Sequence, residues 1–187
     1  MIEKILDWIF KKKVIHDCGG DPYLHRWYVI RTRGFGLFIH KFIRSDEDRA
    51  LHCHPWDFIV IPIWRGYWEW HSCAMCKNHE DAMGIETNCR HPVKTRVLPI
   101  LGAKKQPAEY RHRVELLKKT VVRPIAEHPH YDQIAPRKEM AGIVSFLKVV
   151  EKPAWSIFIR FTERRDWGFW MPGGWLKWNI FHRENCE

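Results

Sequence analysis

The sequence predicts an all-β protein, an antiparallel barrel or sandwich of short strands. Runs rich in β-branched and aromatic residues recur along the chain, beginning with 27–32 and 36–43. A turn sequence, RGFG at 33–36, separates these two runs. Many short strands joined by turns are typical of β-sandwiches and β-barrels. The length of 187 residues fits one domain, so we expect residues 1–187 to fold together.

The remaining elements follow in chain order. Residues 1–14 are expected to form a short N-terminal helix, because Ile2, Ile5 and Ile9 recur at helical spacing. We expect the apolar side of this helix to pack on the body of the protein, with a membrane surface as the alternative. Further strands are predicted at 51–54, 58–64, 67–71, 94–98, 110–117, 144–150 and 156–162.

Three regions depart from this pattern. Residues 120–142 carry several prolines and predict an irregular loop. Residues 71–92 form an insertion rich in cysteine and histidine. Residues 167–187 begin with a segment crowded with tryptophan and glycine. We expect this C-terminal extension to wrap over the barrel and to bury its aromatic rings against an open sheet edge.

Composition narrows the classes of partner. The net charge of +9 favours an anionic partner, and scattered surface cations that only aid solubility are the alternative. Nucleic-acid binding rests on charge alone. The chain starts without a secretory-signal pattern and has no apolar run that could span a bilayer, so we expect a cytoplasmic protein without a membrane partner. P-loop, dinucleotide-fingerprint and nucleophile-elbow motifs are absent from the sequence, so a Walker ATPase, a Rossmann dehydrogenase or an α/β-hydrolase has no support.

Two histidines on one predicted strand mark a candidate metal site. His52 and His54 alternate with Cys53, so their side chains point to the same face of the strand and Cys53 points to the other. Paired imidazoles are a natural start for a metal site. The best third ligand is His112, in PAEYRHRVEL.

These segments resemble the two motifs of the cupin superfamily. LHCHPWDFIVIPIWRGYWE is similar to the first motif, with His-x-His and then a turn glycine, Gly66. PAEYRHRVEL resembles the second motif, with Pro107 and His112 in place and Glu109 where glycine is usual. SDEDRALHCHPWDF and RDWGFW resemble small cupin-like proteins of bacteria and phages, whose activity is mostly unassigned. The resemblance implies a cupin-like antiparallel β-barrel or jelly roll, one divalent metal held by the histidines, and often a homodimer.

A carboxylate ligand is less clear. Metal-binding cupins usually add a Glu shortly after the second histidine, and this chain has Asp57 instead. Asp57 is either a fourth ligand turned inward by a bulge, or it caps a turn or pairs with an arginine. Glu69 is a weaker substitute. The histidines could also be hydrogen-bonded groups in a metal-free pocket. The metal could be Fe, Mn, Ni, Cu or Zn.

The insertion offers a second metal site. A Cys-x-x-Cys pair and a Cys-x-His pair supply enough ligands for a structural zinc. The alternatives are cysteines without a role, or a redox pair. The zinc ligands would be Cys73, Cys76, Cys89 and His91, with His71 and His79 as rivals for the fourth position.

The predicted function is that of a metal-binding cupin. We expect an enzyme that acts on a small anionic molecule, with oxygenase chemistry as the first hypothesis and isomerase or epimerase chemistry as the second. The alternative is a non-catalytic module that binds a nucleotide, a metabolite or a protein partner. Candidate substrate-binding residues are Arg49, Glu69, Tyr110 and Arg111.

Overall fold

The structure is a computed structural model. It describes residues 1–17, 20–46, 50–72, 92–124, 127, 145–171 and 174–185. Within these ranges there are fourteen strands and two helices. Their bounds are α1 Ile2–Ile9, β1 Lys11–His16, β2 Pro22–Arg31, β3 Gly36–Phe42, β4 Leu51–His52, β5 Trp56–Trp64, β6 Tyr67–His71, β7 Val93–Val97, β8 Lys104–Gln106, β9 His112–Glu115, β10 Leu117–Pro124, β11 Ser145–Lys152, β12 Ala154–Glu163, β13 Gly168–Met171, β14 Gly174–Lys177 and α2 Trp178–Asn185.

Two six-stranded sheets make up most of the fold. The first sheet has the order β1-β2-β3-β12-β5-β8, and the second has the order β14-β13-β4-β9-β6-β7. A separate hairpin pairs β10 with β11. Every pairing within the described residues is antiparallel. The predicted all-β antiparallel fold class, with a short N-terminal helix, is confirmed.

The core lies between the inner faces of the two sheets. One cluster joins Phe38, Phe58 and Phe158 of the first sheet. A second cluster joins Tyr67 of the second sheet to Ala154 of the first. Strand side chains alternate between faces, so every second residue of a strand reaches this core. Burial of a phenylalanine such as Phe58, which is fully buried, contributes about 3 kcal/mol of stability.

The N-terminal helix is shorter than predicted, and it faces the other way. Helix α1 ends at Ile9, and Phe10 is already extended with φ −124° and ψ 145°. The lysines of Lys11–His16 belong to β1, because this segment pairs with β2. The apolar side of α1 does not pack on the body, since Ile5 is 51% exposed and Trp8 is 87% exposed. No helix in the described ranges is both long enough and apolar enough to cross a membrane.

Two further regions differ from the prediction. Strand β10 continues to Pro124 and pairs with β11 along its whole length, so 120–124 is regular rather than an irregular loop. The rest of the predicted loop, apart from residue 127, lies outside the described residues.

The C-terminal extension extends the second sheet instead of only covering its edge. Strand β13 pairs with β4, and β14 pairs with β13. Helix α2 then returns over β13, where the rings of Phe181 and Phe169 stack with centroids 3.8 Å apart. The extension therefore protects β4, the strand that carries His52, from solvent.

Candidate metal centre

The second sheet brings the predicted histidines together. His52 ends β4 and lies directly opposite His112, the first residue of β9. His54 follows two residues later, where its backbone N–H donates to the Ala108 carbonyl at 3.0 Å. Cys53 points to the opposite face, fully buried, and its backbone N–H donates to the Gly168 carbonyl at 3.0 Å. The alternation that the sequence indicates is therefore present in the structure.

The three imidazole rings form a nearly equilateral triangle. Their centroids are 5.0 Å apart for His52 and His112, 5.1 Å for His54 and His112, and 5.3 Å for His52 and His54. The Nε2 atoms of His54 and His112 are 2.9 Å apart, and one ligand atom from each of the three residues lies within 4.8 Å of the others. Two metal–nitrogen bonds of about 2.1 Å at a right angle separate their nitrogens by roughly 3 Å. The 2.9 Å separation is that of a hydrogen bond between the two rings, and the convergence of the three nitrogens within 4.8 Å makes them candidate ligands of one divalent metal.

A carboxylate stands behind each of two rings. The Nδ1 of His112 lies 2.8 Å from Glu69 Oε1, and the Nδ1 of His52 lies 3.2 Å from Asp46 Oδ2. The Glu69 hydrogen bond holds the His112 ring in one orientation and makes its other nitrogen a stronger ligand, whereas His52 Nδ1 is buried without a hydrogen-bond partner. Asp46 is itself fixed, because its backbone N–H donates to the Val114 carbonyl at 2.9 Å. The His112 ring is thus held with its Nε2 toward His54.

Glu69 contacts the back of the His112 ring, and it is not part of the group of converging ligand atoms found among the described residues. It is almost fully buried and accepts hydrogen bonds from Tyr110 Oη at 3.1 Å and Lys104 Nζ at 3.2 Å. Burial opposes ionisation of Glu69, but His112 and Lys104 outweigh it and lower the pKa of the carboxyl to about 2. Tyr110 points to the same carboxylate, and burial raises its pKa. Neither Glu69 nor Tyr110 lines the cavity beside the histidines, and substrate binding by either residue stays a prediction.

Burial keeps two of the histidines neutral. It lowers the pKa of His52 to about 3, and the charge of His112 adds to the effect. Burial also lowers the pKa of His54 well below its usual value, again with His112 contributing. A neutral imidazole offers a lone pair to a metal, so these two side chains are ready to bind a cation at neutral pH.

Asp57 follows the second of its two predicted alternatives. Its Oδ1 accepts the Ala108 N–H at 2.8 Å and pairs with Arg164 Nη2 at 2.9 Å. Arg164 also pairs with Glu109 at 3.1 Å. Among the described residues, the group whose ligand atoms converge consists of the three histidines alone. Asp57 therefore orders the segment before β9 and is not placed as a fourth ligand.

The remaining predicted residues fall in three places. The guanidinium of Arg111 stacks on the Trp170 ring, 3.4 Å from its centroid, and does not line the cavity beside the histidines. His71, a rival zinc ligand, is hydrogen-bonded through Nε2 to Thr95 Oγ1 at 2.9 Å. The other predicted residues lie outside the described residues: Arg49, Cys73, Cys76, His79, Cys89 and His91.

A cavity opens from the histidines to solvent. Its inner part has a volume of about 90 Å³ and contains all three histidines, with Phe58 and Phe158 on its walls. The outer part, of about 420 Å³, contains His52 and His54 and is lined in addition by the aromatic residues Trp56, Trp167 and Trp178. A small molecule could therefore reach the nitrogen atoms from outside the barrel.

Sequence reasoning missed several polar residues of this cavity, among them Lys13, Arg26, His40 and Asp46. Arg26 Nε donates to His40 Nε2 at 2.9 Å. The pattern Phe38-x-His40-x-Phe42 could have revealed His40, because a strand whose alternate residues are aromatic places the intervening histidine on the same buried face.

Comparison with known proteins adds little about chemistry. The sequence matches no protein-family model and no curated protein. Hydroxypropylphosphonic acid epoxidase from S. wedmorenis superposes with a TM-score of 0.43 at 10% identity, over 81% of this chain and 56% of that chain. Two structures of HppE with iron(II) also superpose, each at 10% identity over 81% of this chain. The structure with the alternative substrate (S)-1-HPP has a TM-score of 0.44, and the other has a TM-score of 0.43. This chain thus spans little more than half of those chains, and the likeness is too distant to bear on function.

Proposed function

We propose that the protein is a metal-dependent enzyme in which His52, His54 and His112 bind one divalent cation. The observation that carries this proposal is the convergence of the three side chains, whose ligand nitrogens lie within 4.8 Å of one another. The hydrogen bond between His112 Nδ1 and the Glu69 carboxylate adds to it. Ligand triads with carboxylates behind their histidines recur in metal sites that perform chemistry.

The substrate of the proposed enzyme is a small anionic molecule. A bound divalent metal would supply a Lewis acid, or a centre for oxygen chemistry, at coordination positions that three imidazoles leave open. The chain itself contributes a narrow inner cavity whose walls include Phe58 and Phe158, which exclude bulk water from the reacting atoms. Oxygenase chemistry is our first proposal, and isomerase or epimerase chemistry is the second. The nitrogen donors suit Fe, Mn, Ni, Cu or Zn.

A non-catalytic binding module is the second candidate. The rings of Trp56, Trp167 and Trp178 line the outer cavity, and such rings offer flat faces to a base, a sugar or another planar ligand. In that case the metal would anchor the ligand without turnover. A binding module would retain an intact ligand after incubation with air and metal, whereas an enzyme would convert it.

Metal analysis tests the proposal directly. The protein is purified, stripped with a chelator and reloaded with Fe, Mn, Ni, Cu or Zn in turn, and bound metal is counted by mass spectrometry. We expect about one metal per chain that His52→Ala and His112→Ala remove. His16→Ala is the matched control, because His16 lines the outer cavity but lies outside the triad. Equal metal content in all of these proteins would overturn the proposal.

The cysteine-rich insertion carries a separate proposal, a structural zinc on Cys73, Cys76, Cys89 and His91. It rests on the sequence pattern alone. We expect Cys73→Ser with Cys76→Ser to remove a second metal without affecting the first. Unchanged zinc content in this double variant would overturn it.

A further inference from the structure

Two cations lie side by side at the entrance to the histidine cavity. Lys13 on β1 and Arg26 on β2 are directly opposite each other in the strand register, so their side chains project from the same face of the first sheet. Both line the outer cavity together with His52 and His54. Arg26 also reaches the inner cavity.

Neither cation is neutralised by a carboxylate within the described part of the chain. Arg26 donates its Nε–H to His40 and lies over the ring of Phe38, 5.4 Å from the centroid. Burial lowers the pKa of His40, so its ring is neutral and accepts the hydrogen bond without compensating the charge of Arg26. A half-buried guanidinium paired with a neutral ring is costly unless an anion joins it.

The acidic residues of the same cavity make no ion pair with Lys13 or Arg26 within the described ranges. Asp17 pairs with Arg44 at 3.2 Å, and Asp46 lies 3.2 Å from the neutral ring of His52. Like charges placed opposite each other on paired strands repel, so Lys13 and Arg26 stand together at a cost in stability. An arrangement of this kind is typical of a site where an anion supplies the missing charge.

We propose that Lys13 and Arg26 form a subsite for the anionic group of the substrate, a carboxylate or a phosphate-like group. This inference rests on the proposed function, because the rest of the molecule would extend from the subsite to the histidines. The planar guanidinium of Arg26 can donate two parallel hydrogen bonds to such a group, and Lys13 adds a flexible point charge. The outer cavity of about 420 Å³ accommodates a small metabolite.

Anion titration of metal-free protein tests the subsite independently of the metal. Inorganic phosphate and, separately, acetate are titrated into chelator-treated protein and followed by amide chemical shifts. We expect Arg26→Gln and Lys13→Gln each to weaken the binding of at least one probe about tenfold. Lys11→Gln is the matched control, because Lys11 projects from the same face of β1 but does not line the cavity. Thermal melting confirms that each variant folds.

The two proposals fail in different ways. If Lys13→Gln and Arg26→Gln bind both probes as the unmodified protein does, the anion subsite is wrong while metal counting still decides the metal site. An equal loss of anion affinity in Lys11→Gln would show that general surface charge explains the binding, and it would also overturn the subsite. If the binding of phosphate or acetate requires both Lys13 and Arg26 but no metal binds, the subsite is supported and the proposed metal-dependent enzyme is overturned.

A second, independent feature is the orientation of helix α1. Its acidic residues face the protein: Glu3 pairs with Lys41, and Asp7 accepts a hydrogen bond from Trp27 Nε1 at 2.7 Å and pairs with Lys12 at 3.6 Å. An amphipathic helix on a protein surface usually packs its apolar side inward. Here the polar side anchors the helix, and the apolar side is left toward solvent.

The outward side of α1 forms an exposed apolar surface. We name it the α1 surface; it consists of Ile2, Ile5, Trp8, Ile9 and Trp64. Trp64 is 52% exposed and shares a shallow cleft with Ile2. Large apolar side chains gathered in this way mark an interaction site.

The positive charges beside the α1 surface are complementary to an anionic membrane surface. Lys4 and Arg65 are exposed, and the Arg65 guanidinium lies 4.8 Å from the Trp64 ring centroid. Glu3 and Asp7 are engaged with cations on the other side of the helix. Exposed tryptophan and isoleucine flanked by lysine and arginine are the pattern of helices that lie in a lipid interface. We infer that the α1 surface binds a membrane of anionic lipids, contrary to the absence of a membrane partner that we expect from the sequence.

Vesicle sedimentation tests this second inference. We expect the protein to sediment with vesicles of mixed phosphatidylglycerol and phosphatidylcholine more than with pure phosphatidylcholine, and less at high salt. Trp8→Ala should weaken binding at least about tenfold, because a large apolar ring is lost from the interface. Leu101→Ser is the matched control, since Leu101 is 85% exposed elsewhere. Equal binding by Trp8→Ala, or a dimer in solution that Trp8→Ala dissociates, would overturn the inference.

Discussion

The two walls of the histidine cavity differ in the charge of their side chains, although antiparallel strands form both walls. On the wall of the second sheet, His112 is backed by Glu69, and Asp46 stands behind His52. On the wall of the first sheet, Arg26 and Lys13 have no carboxylate partner in the part of the chain that the structure describes. The first arrangement favours a bound cation and the second favours a bound anion. A bound metal would thus complement the charge of the second-sheet wall, and a bound anion would complement the charge of the first-sheet wall.

The largest expected effect comes from removing the carboxylate behind His112. Glu69→Gln keeps the size of the side chain but removes the charge that holds the His112 ring. We expect metal affinity to fall about 10- to 100-fold, as measured by competition with a chelator. Glu115→Gln is the control, because Glu115 pairs with Lys94 on the other face of β9. An unchanged affinity in Glu69→Gln would show that the carboxylate does not support the ligand.

A smaller effect is expected behind His52. Asp46 is more exposed than Glu69, and it lies 3.2 Å from His52 Nδ1 without a hydrogen bond, whereas Glu69 is hydrogen-bonded to His112 at 2.8 Å. Asp46→Asn should therefore weaken metal binding by about tenfold or less, at the lower end of the range for such partners. The same chelator competition measures it. A larger loss than in Glu69→Gln would reverse the order of the two carboxylates.

The pH dependence of stability tests the neutral histidines on both walls. Burial lowers the pKa values of His40, His52 and His54 in the folded state. At mildly acidic pH these imidazoles therefore bind protons in the unfolded chain and stay neutral in the folded chain. Stability is therefore complete above the unfolded pKa of about 6.5 and falls as the pH drops below it, by up to about 1.4 kcal/mol per pH unit for each such histidine. Urea unfolding of metal-free protein at several pH values measures this loss.

A variant on the first-sheet wall makes the pH test specific. His40→Gln keeps an acceptor for the Arg26 Nε–H but cannot take up a proton. We expect it to reduce the slope of stability against pH, whereas His16→Gln, at an exposed position, leaves the slope unchanged. Equal slopes in all three proteins would contradict a neutral buried His40.

The smallest effect is expected at Asp57. Its partner Arg164 is about half exposed, so the ion pair contributes roughly 1 kcal/mol or less. Asp57→Asn should lower the free energy of unfolding slightly and leave the metal content unchanged. Metal counting and urea unfolding of the same preparation check both statements. Loss of the metal in this variant would restore Asp57 as a ligand.

The sequence predicts the histidines well because their geometry is local. The alternation along one strand places His52 and His54 on the same face, and the motif that contains His112 identifies the third ring. The partners behind the rings depend on sheet register instead. Glu69 lies opposite Val114, not opposite His112, and this pairing joins residues far apart in the chain. Such a register cannot be read from composition or spacing.

The first-sheet wall and helix α1 were unpredictable for related reasons. Arg26 lies on a strand that the sequence predicts in part, but which face meets the second sheet is decided by long-range packing. For α1, apolar spacing predicts an inward apolar side. Instead, Glu3 forms an ion pair with Lys41 and Asp7 accepts a hydrogen bond from Trp27 on the outer face of the first sheet. These contacts turn the polar side of α1 inward and its apolar side outward. Tertiary contacts here override the local pattern.

Anomalous diffraction from a crystal of metal-loaded protein tests the central claim most directly. The account predicts one strong peak inside the cavity, about 2.1 Å from a nitrogen of each of His52, His54 and His112. Glu69 and Asp46 should lie in the next layer, in contact with the rings and not with the metal. A metal bound elsewhere, or a peak contacted by at most one of these histidines, would contradict the account.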